Sequence, residues 1–380
     1  MSKNDFNKLA LAPTSLIDSE CHKTHSQPKF FIYGAGTLGR KLCKELLAKG
    51  HSVEGFPDNN PLLQGERVEG MICIPFTDLK PTNDDVCVIS IWHYRNDPAR
   101  SLKHVRDLGF SHVLHFSAVE DWLNLVSIFP NYAVDHPAKF FNTDTFRRTE
   151  QLLNSLSNSA SRDTALKIIH FHAYANMNEL PPVAFRELPF DPNKIKTYVD
   201  GGAFVGEDFK KHMSQFTSLL AARLIEPDPQ SFRTLQRLDF PCLSDFLTVN
   251  AALSRESGTI TFRANGNWGS MVVDGPGFEA DITVDCITLD MVTKAVPVPI
   301  YIKMDLEGHE LSALNGAHEL LCSEDAIFSI TLEHKALDIF EIPEFLSKYD
   351  HLRSFLFAHD SEFCMDLVLC SAPHTLLVKP

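Results

Sequence analysis

Apolar and polar positions alternate in two separate parts of the chain in the manner of strands and helices. In the first part, KFFIY, HSVEGF, VCVISI and VLHF predict strands, and leucines at helical spacing predict a helix that ends at Gly50. In the second part, strands are predicted at TYVD, AARLIE, TITF, PIYIKMD, IFSITLE, RSFLFA, DLVLC and TLLVK. They would form a mostly parallel sheet whose last two strands are an antiparallel hairpin at the edge.

The same pattern divides the chain into four regions and predicts an α/β fold with two Rossmann-like, doubly wound domains. Residues 1–28 are polar and predict a flexible tail, and residues 29–117 predict the smaller domain. Residues 118–195 contain segments such as TFRRTEQLLNSL and SRDTALKIIHFHAYA without strand alternation, which predicts a helical connector that could also hold a homodimer together. Residues 196–380 form the larger domain.

Charge and composition exclude several classes of partner. The chain has 35 Lys and Arg against 49 Asp and Glu, a net charge of −14. An acidic surface repels phosphate backbones, so neither nucleic acid nor an anionic membrane surface is expected as a partner. No apolar segment approaches the ~20 residues of a membrane helix. The nine cysteines show no metal-ligand spacing, which predicts reduced thiols in a cytoplasmic protein.

The segment YVDGGAFVGED combines a strand end with a glycine turn. Gly201 and Gly202 permit a tight turn with close backbone approach, and Gly206 leads into a helix whose first N–H groups can receive a ligand. Glu226 ends the next strand, where a carboxylate can accept hydrogen bonds from both hydroxyls of a ribose. Because Asp200 precedes the glycines and the spacing is not GxGxxG, the turn favours a cationic or neutral nucleoside over a dinucleotide.

Six ordered motifs in the second domain resemble those of the FkbM family of S-adenosylmethionine-dependent methyltransferases. They are VDGGAFVG, IEPDP, VNAALSRESGTITF, VDCITLD, IKMDLEGHELSALNGA and ITLEH. The resemblance covers residues 196–380 and implies a class I methyltransferase fold with a reversed edge strand. It also implies S-adenosylmethionine as the cofactor and a hydroxyl group of a sugar or related natural product as the acceptor. The donor-binding residues implied are Asp200, Gly201, Gly202, Ala203, Gly206, Glu226, Asn250 and Ala251.

Methyl transfer to an alcohol needs alignment of the two substrates and removal of the hydroxyl proton. Strand alternation places Lys303 and Asp305 on one side of a predicted strand, with Lys303 expected only as a structural ion-pair partner. Asp305, at the end of that strand, is the expected acceptor-facing carboxylate, and Glu333 and His334, at the next strand end, are the expected base or orienting groups. His309 stands where the family more often has a small residue and is a further catalytic candidate. Asp305, Glu307 and Glu333 could hold a divalent cation, but no spacing requires one, so no metal is predicted.

The first domain carries the segment GAGTLG between a predicted strand and helix. Gly34, Gly36 and Gly39 form a GxGxxG turn, and Asp58 follows at the next strand end, which is the layout of a dinucleotide site. The text that follows, FPDNNPLLQGERVEGMICIPF, resembles the N-terminal nucleotide-sugar-binding domain of bacterial sugar acetyltransferases, and this resemblance covers residues 29–117. A nucleotide-sugar site, a bound NAD and a purely structural or dimerising domain all remain open. His93, after a predicted strand, could contact a ligand.

The function expected from these features is O-methylation of a sugar hydroxyl, within nucleotide-sugar or surface-polysaccharide biosynthesis. Two alternatives stay open. One is an NAD-dependent sugar-modifying enzyme that uses the first domain, and the other is a non-catalytic nucleotide-binding scaffold. A loop with Asn267, Trp268 and Ser270 is expected to act as an acceptor lid.

Overall fold

The structure is a computed structural model. It describes residues 29–90, 98–116, 119, 143–174, 188–264, 270–273, 281–335, 337–360 and 365–378. The chain forms two compact units. The first contains residues 1–148, 163–184 and 360–365, and the second contains residues 149–162, 185–359 and 366–380. The predicted tail, His93, Asn267 and Trp268 lie outside the described residues.

The first unit is built on a six-stranded sheet. Its strands are β1 (Lys29–Tyr33), β2 (Ser52–Pro57), β3 (Arg67–Val68), β4 (Met71–Ile74), β5 (Val86–Ile89) and β6 (His112–His115). They lie in the order β3-β4-β2-β1-β5-β6, and all neighbours are parallel except β3 and β4. The helices are α1 (Thr37–Ala48) and α2 (Pro98–Asp107), with a 3₁₀ turn at Phe76–Asp78. The predicted α/β pattern of this unit is therefore confirmed.

The β3–β4 hairpin is the part of this sheet that the sequence pattern does not predict. Its strands have two and four residues, too short to show alternation. Glu69 and Gly70 between them have φ values of 52° and 78°, which is the left-handed pair that a tight hairpin turn requires.

Two helices lie within the predicted connector. They are α3 (Thr143–Ser155) and α4 (Ser159–Tyr174), at the two segments for which the sequence predicts helices. The boundary between the units passes through both helices, because residues 149–162 group with the second unit. A separate connector domain stays a prediction.

The second unit contains a seven-stranded sheet and a four-stranded sheet. The larger one is formed by β7 (Thr197–Gly201), β8 (Ala221–Ile225), β9 (Asp245–Val249), β14 (Ile300–Met304), β15 (Ala326–Thr331), β16 (Leu352–Asp360) and β17 (Met365–Pro373). The order is β16-β17-β15-β14-β7-β8-β9. The smaller one is formed by β10 (Ala252–Leu253), β11 (Gly258–Arg263), β12 (Met271–Val272) and β13 (Ile282–Ile287), in the order β10-β13-β11-β12.

Short helices connect these strands. They are α5 (Glu207–His212), α6 (Pro229–Leu235), α7 (Leu289–Val292), α8 (Glu310–Asn315), α9 (His318–Leu321) and α10 (Asp338–Leu346), with 3₁₀ turns at Pro192–Lys194, Met213–Gln215 and His374–Leu376. None of the helices in the described ranges is long and apolar enough to span a membrane. Seven described cysteines are free thiols, five of them buried.

Two strand predictions for the second unit need correction. The segment TLLVK is not a strand, because His374–Leu376 forms a 3₁₀ turn after Pro373. The reversed strand is β17, antiparallel to β15, and its neighbour toward the edge is β16. The segment TITF is a strand as predicted, but β11 pairs with β12 and β13 in the smaller sheet.

The sheet order determines where a ligand can bind. Strands β8, β7, β14 and β15 are parallel neighbours, so their carboxyl ends meet at one edge. From β7 the chain continues outward to β8 and β9 on one side, and from β14 it continues to β15 on the other side. The β7–β14 pair is therefore the point where the strand order reverses. Open α/β sheets bind ligands at this position.

Candidate active site

A cleft with about 800 Å³ of empty space, including its open mouth, lies at the carboxyl ends of β7, β8 and β14. Its floor comes from residues within 202–208, 225–227 and 303–309, which lie at the ends of those strands or just after them. The smaller sheet supplies another wall through Phe262 of β11 and Val272 of β12. The carboxylates that line the cleft are Glu207, Asp208, Glu226, Asp305 and Glu307, and the basic side chains are Lys303 and His309. The excess of carboxylates favours a cationic ligand.

The glycine turn brings the backbone after β7 against the end of β14. Gly202 has φ 73°, and a Cβ atom there would lie 1.9 Å from the carbonyl oxygen of Asp305. The N–H groups of Gly202 and Ala203 both donate to the carbonyl oxygen of Ile225, at 3.1 and 3.0 Å. Only glycine fits this conformation and this space, and the turn is thereby tied to β8 and β14. Gly206, with φ 80°, is the residue that caps the N-terminus of α5.

Glu226 is 6% exposed and lies at the end of β8. Its Oε2 accepts a hydrogen bond from the Phe204 N–H, and its Oε1 accepts one from the Asp228 N–H, both at 2.8 Å. Burial raises the pKa of Glu226 to about 7, against the lowering effect of these two backbone hydrogen bonds. Each carboxylate oxygen keeps a further lone pair, so the group can still accept hydrogen bonds from a ligand in the cleft.

Asn250 has a supporting position beside this carboxylate. Its Nδ2 donates to the carbonyl oxygens of Glu226 at 2.8 Å and of Pro227 at 3.2 Å. The side chain therefore joins the chain after β9 to the end of β8. Ala251, the next residue, lines the cleft.

Lys303 is the buried cation of the site. Its Nζ lies 3.2 Å from Asp200 Oδ1, 3.0 Å from Asp208 Oδ2 and 3.8 Å from Asp305 Oδ2. Burial would lower the pKa of Lys303, but these carboxylates raise it well above its usual value. Burial raises the pKa of the fully enclosed Asp200 to about 6, while the charge of Lys303 lowers it.

His334, 3% exposed, connects the end of β15 to the end of β14. Its Nδ1 is 2.9 Å from Glu310 Oε1, and its Nε2 is 3.3 Å from Asp305 Oδ1. Burial would lower the pKa of His334, but Glu310, Glu307 and Asp305 raise it well above its usual value. For Glu310, the charge and hydrogen bond of His334 outweigh burial and lower the pKa.

Glu307 is the other carboxylate close to His334. It has φ 51°, a left-handed conformation that a non-glycine residue rarely adopts. Burial raises the pKa of Glu307 to about 8, partly offset by the charge of His334.

Residues 200–363 match the family model of the methyltransferase FkbM domain. We call this part of the chain the FkbM domain, after the family model that it matches. The match confirms the resemblance found in the sequence and implies a methyl donor of the S-adenosylmethionine type. No curated protein sequence matches the chain.

The fold of the chain is also similar to a solved structure, that of methyltransferase FkbM from Methylobacillus flagellatus KT. The TM-score is 0.69, the sequence identity is 20%, and 96% of each chain is covered. At this identity the similarity shows the fold alone, and it agrees with the α/β architecture predicted from the sequence.

The predicted donor-binding residues of the FkbM domain fall into two groups. Gly202, Ala203, Glu226 and Ala251 line the cleft. The other four, which shape the strand ends around it, are Asp200, Gly201, Gly206 and Asn250. Gly201 packs closely, since a Cβ atom there would lie 2.7 Å from Leu253 Cδ1.

The predicted catalytic residues also fall into two groups, those that line the cleft and those that do not. Asp305 and His309 line the cleft, whereas Glu333 and His334 are not among its lining residues. His309 Nε2 lies 3.3 Å from the Ser254 hydroxyl. Glu333 Oε2 accepts the Leu367 N–H at 2.9 Å, which joins the end of β15 to β17.

Several side chains of the FkbM site were not predicted as site residues. Strand alternation did place Lys303 on the same side as Asp305, but gave Lys303 only a structural ion pair. Nothing local in the sequence indicates that Asp208 would reach Lys303, or that Phe262 would form a wall. Ser270, expected in a lid, lines the cleft and donates to Asp228 Oδ2 at 2.8 Å.

The glycine turn of the first unit has a related arrangement. The Ala35 N–H donates to Asp58 Oδ2 at 2.7 Å, and the Asn60 N–H donates to Asp58 Oδ1 at 2.8 Å. A Cβ atom on Gly39 would lie 2.0 Å from the carbonyl oxygen of Gly34, so the third glycine permits close packing of α1 on the turn. Gly36 precedes α1, and a Cβ atom there would meet no atom within 4 Å.

Proposed function

We propose that the protein transfers a methyl group from S-adenosylmethionine to a hydroxyl group of a sugar or nucleotide-sugar. The observation that carries the proposal is Glu226. It is a buried carboxylate at the end of β8 that lines the cleft and lies beside the glycine turn after β7. The sugar acceptor comes from the resemblance of the domain motifs to enzymes that methylate such hydroxyls.

The charge of the cleft lining and the free lone pairs of Glu226 support the assignment of the donor. When bound, S-adenosylmethionine supplies a methyl group already activated on a cationic sulfur. Glu226 accepts hydrogen bonds from the ribose hydroxyls with the lone pairs that Phe204 and Asp228 leave open. The lining carboxylates attract the positive charge.

Asp305 is the group that faces the acceptor in this proposal. Its side chain is 36% exposed and lines the cleft. Thr331 Oγ1 donates to Asp305 Oδ1 at 3.3 Å. His334 Nε2 lies 3.3 Å from the same oxygen. These contacts hold the carboxylate in place, so that it can orient the hydroxyl and accept its proton. His334 is a positioning residue, because it is buried, does not line the cleft and contacts the carboxylate of Asp305 rather than the acceptor.

For the first unit we propose a nucleotide-sugar site at the GAGTLG turn. The supporting observation is that the carboxylate of Asp58 accepts the same two kinds of backbone hydrogen bond as the carboxylate of Glu226. In both, one carboxylate oxygen accepts an N–H of the glycine turn, and the other accepts the N–H of the residue two positions later. NAD remains an alternative ligand for the same turn.

Calorimetry with S-adenosylhomocysteine tests the donor site. The wild-type chain is expected to bind one equivalent, and Glu226→Ala is expected to weaken binding by roughly 1–3 kcal/mol, or about 5- to 150-fold. Asp58→Ala is the matched control, since it removes a carboxylate with the same backbone hydrogen bonds from the other unit. It should leave the affinity unchanged.

Mass spectrometry tests the reaction itself. Incubation with S-adenosylmethionine and a panel of sugars and nucleotide-sugars is expected to give a product in which one methyl group replaces one hydrogen. Absence of S-adenosylhomocysteine binding by the wild-type protein would contradict the proposal. Binding of NAD without any binding of S-adenosylhomocysteine would favour the NAD-dependent alternative.

A further inference from the structure

Asp305, Glu307 and His334 each offer one ligand atom, and these atoms lie within 4.8 Å of one another. His334 Nε2 is 3.3 Å from Asp305 Oδ1 and 3.7 Å from Glu307 Oε2. Adjacent ligands of one ion, each bound at roughly 2.1 Å, are about 3–3.5 Å apart. A charge-assisted hydrogen bond is shorter, about 2.7–2.9 Å. The observed separations are therefore closer to those of ligands that share an ion.

The imidazole of His334 is oriented as in metal-bound histidines. Its Nδ1 pairs with Glu310 Oε1 at 2.9 Å, which directs Nε2 toward Asp305 and Glu307. Glu310 is 0% exposed, and its Oε1 also accepts the Leu306 N–H at 2.8 Å. A carboxylate on the second ring nitrogen fixes the orientation and the tautomer of histidines that bind metals through the first.

Glu307 supplies an independent indication of a missing partner. Its Oε2 is buried and accepts no hydrogen bond from the described part of the chain. Buried carboxylate oxygens normally have a hydrogen-bond partner. This oxygen faces Nε2 of His334 at 3.7 Å. Asp305 and Glu307 both line the cleft, so a ligand at this point would face the acceptor.

We propose that Asp305, Glu307 and His334 bind a divalent transition-metal ion at the acceptor end of the cleft. Two carboxylates and one imidazole suit ions such as Mn²⁺ or Zn²⁺, whereas Ca²⁺ takes six to eight oxygen ligands. The sequence does not predict this set, because no local spacing connects His334 with Asp305.

The catalytic use of the ion rests on the proposed methyl transfer. An alcohol bound to a divalent ion is a stronger acid than a free one. With Asp305 Oδ1 on the ion, Oδ2 can accept the hydroxyl proton. The acceptor oxygen then forms its bond to the methyl carbon, while the carbon–sulfur bond breaks and its electron pair stays on the sulfur.

Titration of the full chain with Mn²⁺, after removal of metals with a chelator, tests the site directly. Electron paramagnetic resonance of free Mn²⁺ is expected to show one ion bound per chain. Glu307→Gln and His334→Gln should each weaken binding at least about tenfold. Glu207→Gln, a carboxylate of the same cleft outside the cluster, is the matched control and should bind as the wild type does.

Failure of the wild-type protein to bind Mn²⁺ overturns the proposal, and so does unchanged binding by Glu307→Gln. Thermal denaturation shows whether the His334→Gln variant folds. If it does not fold, the wild-type and Glu307→Gln titrations still test the metal site. S-adenosylhomocysteine calorimetry on the same samples separates the two proposals. Loss of nucleoside binding contradicts the donor site, whereas loss of Mn²⁺ binding contradicts only the metal site.

Discussion

Glu226 combines deep burial with a position that a ligand can reach. Its pKa of about 7 means that the carboxylate of the free protein is only partly ionised at neutral pH. Ribose hydroxyls donate hydrogen bonds to the ionised form, so a bound nucleoside lowers this pKa. A ligand that lowers a pKa releases a proton on binding, and its affinity rises with pH until the free group is fully ionised.

We therefore expect the affinity for S-adenosylhomocysteine to rise as pH increases through about 7 and then to level off, by up to roughly tenfold per pH unit. Calorimetry between about pH 6 and about pH 8 measures this dependence. Glu226→Gln cannot ionise and should remove it. Asp58→Ala should keep the wild-type dependence. The same slope in Glu226→Gln would show that another group titrates.

At the residue scale, the sequence predicted the positions that follow from local pattern. Strand alternation placed Lys303 and Asp305 on one side, and both line the cleft. The glycine turn and Glu226 were found because each stands at a recognisable strand end. The pairing of His334 with Glu310 and the reach of Asp208 to Lys303 depend on side chains from different elements, which no local pattern encodes.

At the scale of elements, the glycine turn acts as a spacer between β7, β8 and the end of β14. Its backbone N–H groups bind the end of β8, and the missing side chain at Gly202 admits the Asp305 carbonyl. Because that carbonyl belongs to the residue whose side chain faces the cleft, a shift of the turn also shifts the carboxylate.

Gly202→Ala is expected to destabilise the protein by about 3 kcal/mol, through both the clash and the left-handed φ. A loss of this size lowers the midpoint of thermal denaturation by roughly 6–12 °C in a unit of this length. S-adenosylhomocysteine binding should weaken in parallel. In Gly258→Ala, the control, the new Cβ atom meets nothing within 4 Å, and both quantities should stay near their wild-type values.

Most strands of the larger sheet were predictable, because they are short runs rich in apolar and β-branched residues, but β9, with the sequence DFLTV, was not predicted. The smaller sheet was only partly predictable. Strands β10 and β12 have two residues each and are defined by their partners rather than by their own sequence. Likewise, the final segment TLLVK has the composition of a strand, but β16 already occupies the position beside β17.

At the scale of the whole molecule, both units hold an acidic residue at the end of their second strand in the same way. Glu226 and Asp58 each accept one N–H of a glycine turn and one from two residues further on. The α/β class and the FkbM domain follow from the sequence, since ordered motifs over a long stretch identify them. The ligand of the first unit cannot be predicted from the sequence, because glycine turns of this kind bind several different nucleotides.

The two carboxylates predict a double dissociation. A nucleotide-sugar that binds the first unit should lose affinity roughly five- to 150-fold in Asp58→Ala and be unaffected by Glu226→Ala, whereas S-adenosylhomocysteine should show the reverse. Calorimetry with each ligand on each variant measures all four combinations. If both ligands respond only to Glu226→Ala, they share one site in the FkbM domain.

The central position of β14 has a consequence for protein synthesis. Strand β14 pairs with β7, although about a hundred residues separate them in the chain, and it brings Lys303 to the buried carboxylate of Asp200. In a nascent chain that has not yet emerged beyond β14, one edge of β7 is unpaired and Asp200 lacks the charge of Lys303. A buried charge without a partner destabilises the folded state. The ribosome must therefore release most of the second unit before the cleft can assemble, and an S-adenosylhomocysteine resin should retain only chains completed beyond that point.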